Sequence, residues 1–169
     1  MTVLRLLFMI NCTFENGNIA SPGLRHITVG AIAYNDKGQI LLVKRSSKYS
    51  RPNTWTVPGG FMERDKTIEE CVLKELKEET GMDGEIERLF HINDNPNRPK
   101  EDRQNVDFIY LVKVGEGNFS HDDEIINIEW FGKSNLPSED DFAFDHRTVI
   151  LKYFEYLEQS FALPLMGKI

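Results

Sequence analysis

Residues 67–81 constrain the fold most, because they have the pattern of one amphipathic helix with a marked start and end. Thr67 followed by Glu70 is a capping box, and Gly81 is the residue type expected just past a helix C-terminus. Apolar residues recur between them at helical spacing, which predicts one buried face. We therefore expect a helix that runs from residue 67 to residue 80 and packs against a core.

Three glutamates of this helix, Glu75, Glu78 and Glu79, point to the same side as its apolar residues when about 100° is allowed per residue. Carboxylates that face a core lose hydration, and the helix dipole favours cations at this end of a helix. Lys77 points to the opposite side and cannot neutralise them. Because hard divalent cations bind oxygen ligands, the pattern favours a magnesium site where the helix meets a loop. The alternative is a solvated face with Glu–Lys pairs at four-residue spacing.

Strand patterns surround this helix. Two runs rich in Val, Ile and Leu between residues 25 and 44 flank the turn sequence NDKG, which predicts a β-hairpin. TWTVPGG predicts a short extended segment, and GEIERLFHIND, NVDFIYLVKV and IINIEWF predict three later strands. DHRTVILKYFEYLEQSF has the pattern of a second amphipathic helix, with Asp145 as its cap and Phe142 or Phe144 packed inward. Strands arranged around two helices predict an α/β fold with a mixed β-sheet between the helices.

Composition excludes several classes of protein. The chain has 169 residues, 40% of them hydrophobic and 28% charged, which suits one ordinary globular domain. Its formal net charge of -7 argues against a nucleic-acid-binding surface. Cys12 and Cys71 are too few for a disulfide scaffold, so we expect a reducing compartment, the cytoplasm. The early apolar run VLRLLFMI is too short to span a bilayer, and no membrane partner is expected.

The expected boundaries divide the chain into three parts. Residues 1–24 are expected to form an N-terminal strand or an extension, residues 25–161 the domain, and residues 162–169 a C-terminal tail. The apolar first segment can complete its own sheet or pair with a second copy in a homodimer, and the sequence leaves both open.

Residues 60–82 resemble the Nudix box, a pattern of conserved spacing that contains the three glutamates. The matching positions are Gly60, Glu75, Leu76, Glu78, Glu79, Gly81 and Met82. WTVPGG ahead of the box is also typical of that family. The resemblance implies a Nudix-type α/β/α sandwich with a mixed β-sheet between helices, and it covers most of the chain.

Two positions depart from the Nudix pattern, since Lys66 replaces a glutamate and Lys74 replaces an arginine. In the family these two residues brace the loop against the helix by an ion pair. Two cations cannot form that pair, and Asp65 or Glu63 are the candidate substitute partners. A chain with reduced activity, or a non-catalytic descendant, is therefore an alternative.

The resemblance also implies a chemistry, the hydrolysis of a nucleoside diphosphate linked to another group, with Mg2+, or Mn2+ in its place, holding the diphosphate. By the same resemblance Glu75, Glu78 and Glu79 are metal ligands, and the carbonyl of Gly59 is a further one. The general base is then Glu124, on a loop before a late strand, or Glu78.

Substrate contacts are expected from residues outside the box. Arg45 ends a strand where the family often contacts phosphate, and Arg98 and Arg103 could reach a terminal phosphate or ribose. Phe61 or Trp55 offers an aromatic face for a base. The alternative for Arg98 is a role in shaping a solvent loop.

The segments HINDNPNRPKEDRQNVDFIYL and FAFDH resemble the ADP-ribose pyrophosphatase branch of the family. We therefore expect cleavage of ADP-ribose or a related nucleoside diphosphate sugar to a nucleoside monophosphate and a sugar phosphate. Two alternatives remain at this point. One is hydrolysis of dinucleoside polyphosphates, nucleoside triphosphates or capped RNA, and the other is a regulatory domain that binds a nucleotide sugar without cleaving it. The expected partner is a small nucleoside diphosphate derivative, not a nucleic acid.

Overall fold

The computed structural model describes residues 25–101 and 104–169, and in them a mixed sheet of eight strands lies between two helices. The strands are β1 Ile27–Tyr34, β2 Ile40–Arg45, β3 Trp55–Thr56, β4 Gly59–Phe61, β5 Gly84–Asn93, β6 Val106–Val114, β7 Ile125–Phe131 and β8 Leu165–Met166. The helices are α1 Ile68–Thr80 and α2 His146–Glu158, with short 3-10 turns at Lys133–Asn135 and Glu139–Asp141. The strand expected within residues 1–24 lies outside the described residues.

The sheet is mixed because two of its strand pairs are parallel. The order is β3-β2-β1-β6-β5-β8, with β4 also pairing with β1 and β7 with β2. Pairs β1–β6 and β5–β8 are parallel, and the remaining pairs are antiparallel. The end of β2 therefore lies beside the start of β7, and β4 lies beside the start of β1. This arrangement brings four separate segments to one end of the sheet.

The predicted hairpin between β1 and β2 is observed. Asn35 Oδ1 accepts hydrogen bonds from the amides of Lys37 and Gln39, both at 3.0 Å, and so closes the turn through its side chain. Gly38 has a φ of 71°, a left-handed conformation that glycine adopts without steric cost.

Alternating residues of the strands build two hydrophobic cores, one on each face of the sheet. The core under α1 includes Val29, Ala31, Leu41, Val43, Cys71, Val72 and Leu76. The core under α2 includes Ile32, Ile40, Leu42, Phe90, Ile150 and Phe154. The predicted sandwich of a mixed sheet between helices is confirmed.

Among the described residues, no helix has both the length and the apolar composition that crossing a membrane requires.

Helix α1 begins and ends as its sequence predicts. Thr67 Oγ1 accepts from the Glu70 amide at 3.3 Å, and the Glu70 carboxylate accepts from the Thr67 amide at 2.7 Å. Gly81 follows the helix with a φ of 74° and donates its N–H to the carbonyl of Lys77 at 2.8 Å. These caps fix where the acidic last turns of α1 lie.

Helix α2 differs from expectation at its first residue. Asp145 occupies the cap position, but its side chain makes no capping hydrogen bond. Its carboxylate accepts instead from Arg98 Nε and from Asn93 Nδ2, each at 2.7 Å. Phe142 packs inward as expected, at 1% exposure, whereas Phe144 is only half-buried.

The segment expected to form a C-terminal tail packs onto the domain and adds the short strand β8 to the sheet. Leu165–Met166 pairs with β5 in parallel, and His91 Nε2 lies 2.7 Å from the carbonyl oxygen of Gly167. Leu163 and Ile169 pack against the core under α2. These contacts tie the segment to the domain through both hydrogen bonds and apolar packing.

A buried ion cluster joins the loop after β5 to β6 and α2. Arg98 lies 2.9 Å from Asp107 and 2.7 Å from Asp145. Asp107 also accepts from Thr28 Oγ1 at 2.9 Å. Burial alone would raise the pKa of Asp107, but the Arg98 charge, with the neighbouring His146 and a hydrogen bond from Thr28, outweighs it and holds the pKa well below its usual range.

Asp107→Asn should destabilise the fold at neutral pH by about 3–5 kcal/mol, because it leaves the buried Arg98 charge undercompensated. The pKa of Asp107 lies below its unfolded value of about 3.9, so its stabilisation is present above about pH 4 and lost as the pH falls further. Urea denaturation at pH 7 and pH 3 measures both effects, and the variant should lose less stability on acidification than the wild type. Parallel losses in the two proteins would contradict this. Asp36→Asn, which removes an exposed partner of Lys113, is the control and should change little.

Candidate active site

The acidic side of α1 lies directly against the glycines of β4. Glu79 is 4% exposed, and its Oε2 accepts the N–H of Gly59 at 2.9 Å. A Cβ added to Gly60 would lie 2.5 Å from Glu75 Oε1, so only glycine leaves room for that carboxylate. The absence of side chains at Gly59 and Gly60 therefore allows two helix carboxylates to approach the backbone of β4.

Burial gives the two inner carboxylates unusual proton affinity. Burial, with added repulsion from Glu78 and Glu124, raises the pKa of Glu75 to about 7, although Lys74 opposes the rise. Burial also raises the pKa of Glu79 well above its usual value, against the Gly59 hydrogen bond and the Arg45 charge. The site thus concentrates negative charge that a cation would relieve.

Glu78 differs from the other two glutamates. Its side chain is 48% exposed, and its Oε2 lies 2.5 Å from Lys74 Nζ. The expectation that all three glutamates face the core is therefore wrong for Glu78, whereas it is right for Glu79. The residue phase of an ideal helix places Glu78 at the edge of the buried face, and the pairing with Lys74 draws it outward.

The oxygen donors fit a hard divalent cation in chemistry, since Glu75, Glu79 and the Gly59 backbone lie together and the two carboxylates are poorly compensated. Within residues 25–101 and 104–169, however, no three His, Cys, Asp or Glu side chains converge as a group that could hold a metal ion. The outward orientation of Glu78 is one visible reason. Metal ligation by Glu75, Glu78, Glu79 and the Gly59 carbonyl stays a prediction.

Arg45 and Glu124 lie next to this acidic group, at the adjacent ends of β2 and β7. Arg45 pairs with Ile125 in the sheet, and the Ser46 amide donates to the carbonyl of Glu124 at 2.7 Å. The charges of Arg45 and Glu124 both act on Glu79. The structure therefore brings together the predicted phosphate ligand, a predicted general base and the inner glutamates.

Tyr49 is a neighbour of the site that sequence analysis missed. Its hydroxyl faces the Glu124 carboxylate, and this interaction is the main reason that the pKa of Tyr49 rises to about 12. The loop after β2 and the loop before β7 are also linked by an ion pair between Lys48 and Asp123. No local pattern signals such a contact, because the two loops are far apart in the sequence.

The other residues predicted to contact substrate do not all lie beside Arg45. Arg98 is buried in the ion cluster with Asp107 and Asp145, so the structure gives its guanidinium a structural partner. Phe61 is half-buried with its ring edge-on to His26, at 5.8 Å between centroids.

Two further aromatic residues lie in different environments, one in a core and one beside the arginines. Trp55, the alternative aromatic platform, belongs to the core under α2. Phe144, which has a left-handed φ of 53°, places its ring 6.0 Å from Arg45 Cζ and 5.3 Å from Arg98 Cζ. Arg103 lies outside the described residues. Substrate binding by Arg98, Arg103 and Phe61 stays a prediction.

Comparison with protein families identifies the fold. A NUDIX domain model matches residues 24–153, which is most of the chain. The chain belongs to the Nudix family. Its box extends from Gly60 to Met82, and α1 carries the glutamates of that box. Nudix hydrolases generally use divalent metal ions, which agrees with the donor chemistry of the site.

Similar proteins support a pyrophosphohydrolase. An ADP-ribose pyrophosphatase of Methanocaldococcus jannaschii is 31% identical over 130 residues, covering 77% of this chain and 73% of that protein. An ADPR responsive transcriptional repressor of Acinetobacter baylyi is 30% identical over 145 residues, covering 80% of this chain and 56% of the repressor. A NUDIX hydrolase structure from Nitrosomonas europaea has a TM-score of 0.76 at 23% identity, covering 94% of this chain and 86% of that one.

Alanine substitutions at the two glycines of β4 should differ in how much they destabilise the protein. A Cβ on Gly59 would lie 2.2 Å from the backbone oxygen of Val29, which cannot move independently of β1, so Gly59→Ala should cost about 1–3 kcal/mol of stability. Gly60→Ala should cost less, because the clash is with the flexible end of Glu75, which can turn away. Urea denaturation measures both. Gly115→Ala, with nothing within 4 Å, is the control. A Gly60 variant less stable than the Gly59 variant would contradict this packing.

Proposed function

We propose that this Nudix hydrolase cleaves the diphosphate of ADP-ribose, or of a related nucleoside diphosphate sugar, to a nucleoside monophosphate and a sugar phosphate. The observation that carries the proposal is the meeting of Glu75, Glu79, Glu124 and Arg45 at one end of the sheet. A diphosphate needs both cationic and metal-binding groups around it, and this site supplies both. Similarity to the Methanocaldococcus jannaschii ADP-ribose pyrophosphatase supports the choice of substrate.

The proposed metal is Mg2+, with Mn2+ able to take its place. Glu75, Glu78 and Glu79, with the Gly59 carbonyl, are the proposed ligands, which requires Glu78 to turn from Lys74 toward the inner carboxylates. When bound, such an ion supplies charge neutralisation for the diphosphate. Arg45 binds a phosphate oxygen, since its guanidinium lies at the edge of the acidic group.

The proposed general base is Glu124 or Glu78. Glu124 is the better positioned of the two, because its backbone is held by Ser46 and its charge acts on both Glu75 and Glu79. A base with a fixed backbone beside the acidic group is placed to accept a proton from the attacking water. Glu78 remains the alternative once it has left Lys74.

A second candidate function is an ADP-ribose sensor without turnover. The replacement of the family's Glu–Arg pair by Lys66 and Lys74 favours it, as does similarity to the Acinetobacter baylyi repressor. Glu75 and Glu79 occupy the glutamate positions of the box, and Glu79 is buried against Gly59, which favours the hydrolase. Both candidates bind the same ligand, so only turnover distinguishes them.

The direct test of the proposed function is product analysis. With Mg2+ the protein should convert ADP-ribose to AMP and ribose 5-phosphate, and excess chelator should abolish turnover. A parallel panel of nucleotide sugars, dinucleoside polyphosphates, nucleoside triphosphates and capped RNA, followed by chromatography, ranks the substrates. Binding of ADP-ribose without products would support the sensor. Faster turnover of a dinucleoside polyphosphate would replace the proposed substrate.

Glu79→Gln should separate activity from stability. The amide oxygen can still accept the Gly59 N–H, and a neutral group relieves the cost of burial, so the melting temperature should stay equal or rise. Turnover should fall by about 100-fold or more, because the neutral amide no longer stabilises the cation that offsets the diphosphate charge. Glu69→Gln, on the first turn of α1, is the control. Turnover at the wild-type rate in the Glu79 variant would show that Glu79 has no role in catalysis.

A further inference from the structure

Four charged side chains form a continuous chain between the loop before α1 and the last turns of the helix. Lys66 contacts one carboxylate oxygen of Glu63, and Lys74 Nζ lies 2.9 Å from the other. Lys74 also lies 2.5 Å from Glu78 Oε2. Each oxygen of Glu63 therefore serves a different lysine, one on the loop and one on the helix.

Glu63 and Glu78 together balance the two lysines of this chain, and only Glu63 contacts both of them. Lys66 and Lys74 occupy the two positions where the Nudix pattern has a glutamate and an arginine, so alone they would repel each other. Lys66 lowers the pKa of Glu63 most and Lys74 next, as expected for a carboxylate held ionised by two cations. Among the described ion pairs, no other carboxylate contacts both lysines.

The backbone around Glu63 is held independently of these ion pairs. The amide of Met62 donates to the carbonyl of Ile27 at 3.1 Å, which ties the loop to β1. The Glu63 amide donates to the sulfur of Cys71 at 3.3 Å, a buried residue of α1. The carboxylate of Glu63 thus starts from a fixed point beside the helix, within reach of Lys74.

We propose that Glu63 is a positioning residue that replaces the family's loop–helix ion pair with a pair of the same polarity, in which Glu63 is the acid on the loop and Lys74 is the cation on the helix. It holds the loop to α1 through Lys74, it pairs with Lys66 within the loop, and it keeps Lys74 neutralised when Glu78 turns toward the inner glutamates. This inference rests on the proposed function for its kinetic consequence, although not for the ion pairs themselves. The side chain of Glu63 is 39% exposed, so its effect falls on local order and not on global stability.

Hydrogen exchange tests the structural part. Glu63→Gln should speed exchange of the amides of residues 62–67 by about two- to five-fold, the factor expected for loss of exposed ion pairs. The double change Lys66→Glu with Lys74→Arg should rescue that variant, since it restores the family pair. In the wild-type background the same double change should give no slower exchange, because Glu63 already fills the role. Glu69→Gln is the control for charge alone and should leave exchange unchanged.

Kinetics test the functional part in the same five proteins. Glu63→Gln should raise the Mg2+ concentration for half-maximal turnover of ADP-ribose by about two- to five-fold, because Lys74 then competes more strongly for Glu78. The KM for ADP-ribose at saturating Mg2+ should not change, which a general loss of folding would not achieve. The double change of the two lysines should return the Mg2+ requirement to the wild-type value.

Two results would overturn the proposal: wild-type exchange in Glu63→Gln, or no rescue of exchange by the double change. An inactive wild-type protein would sink the proposed function alone, since hydrogen exchange would still decide whether Glu63 forms the brace. An active Glu63→Gln variant with an unchanged Mg2+ requirement would show that Glu63 does not act on Glu78, and it would leave the proposed hydrolysis intact.

Discussion

The site at the junction of α1 and β4 depends on the burial of the Glu79 carboxylate against the Gly59 amide. A carboxylate at 4% exposure is costly to bury, and one backbone hydrogen bond at 2.9 Å with a nearby Arg45 charge offsets only part of that cost. The remainder is offset by apolar residues of the same helix, Cys71, Val72 and Leu76, which are each at most 1% exposed. Hydrophobic packing of α1 thus keeps the Glu79 carboxylate buried despite its loss of hydration. A bound cation would offset the remaining cost of that burial.

The lysine substitutions show that the family pattern describes a charge balance more than particular residues. A glutamate and an arginine satisfy that balance with two side chains, whereas this protein uses Lys66 and Lys74 with Glu63 and Glu78. The third member comes from a loop position that the pattern leaves unspecified. A departure at two pattern positions is therefore weak support for loss of activity until the neighbours of those positions are known.

Sequence predicts the parts of this protein that local rules determine. The caps at Thr67 and Gly81 and the hairpin turn at Asn35 depend on neighbouring residues only, and each is observed. The outward position of Glu78 was missed because an ideal helical phase cannot resolve a residue at the edge of a face, where a single lysine decides the rotamer. The sequence predicts for Arg98 either a substrate contact or a role in shaping a solvent loop, and not its buried ion cluster, because its partners lie in distant segments and no local pattern marks them.

Residues proposed to bind the metal come from one segment of the sequence, whereas residues proposed to contact the substrate come from several. The inner carboxylates and the glycines that admit them all lie between Gly59 and Glu79, so one short segment carries the catalytic pattern. Arg45, Glu124 and Phe144 come from three loops or strand ends that meet only in the fold. Because the side chains of Arg45, Glu124 and Phe144 belong to neither core, they can change without disturbing α1. A family built in this way keeps one reaction while its substrates differ, which is why the reaction class follows from the sequence more readily than the substrate does.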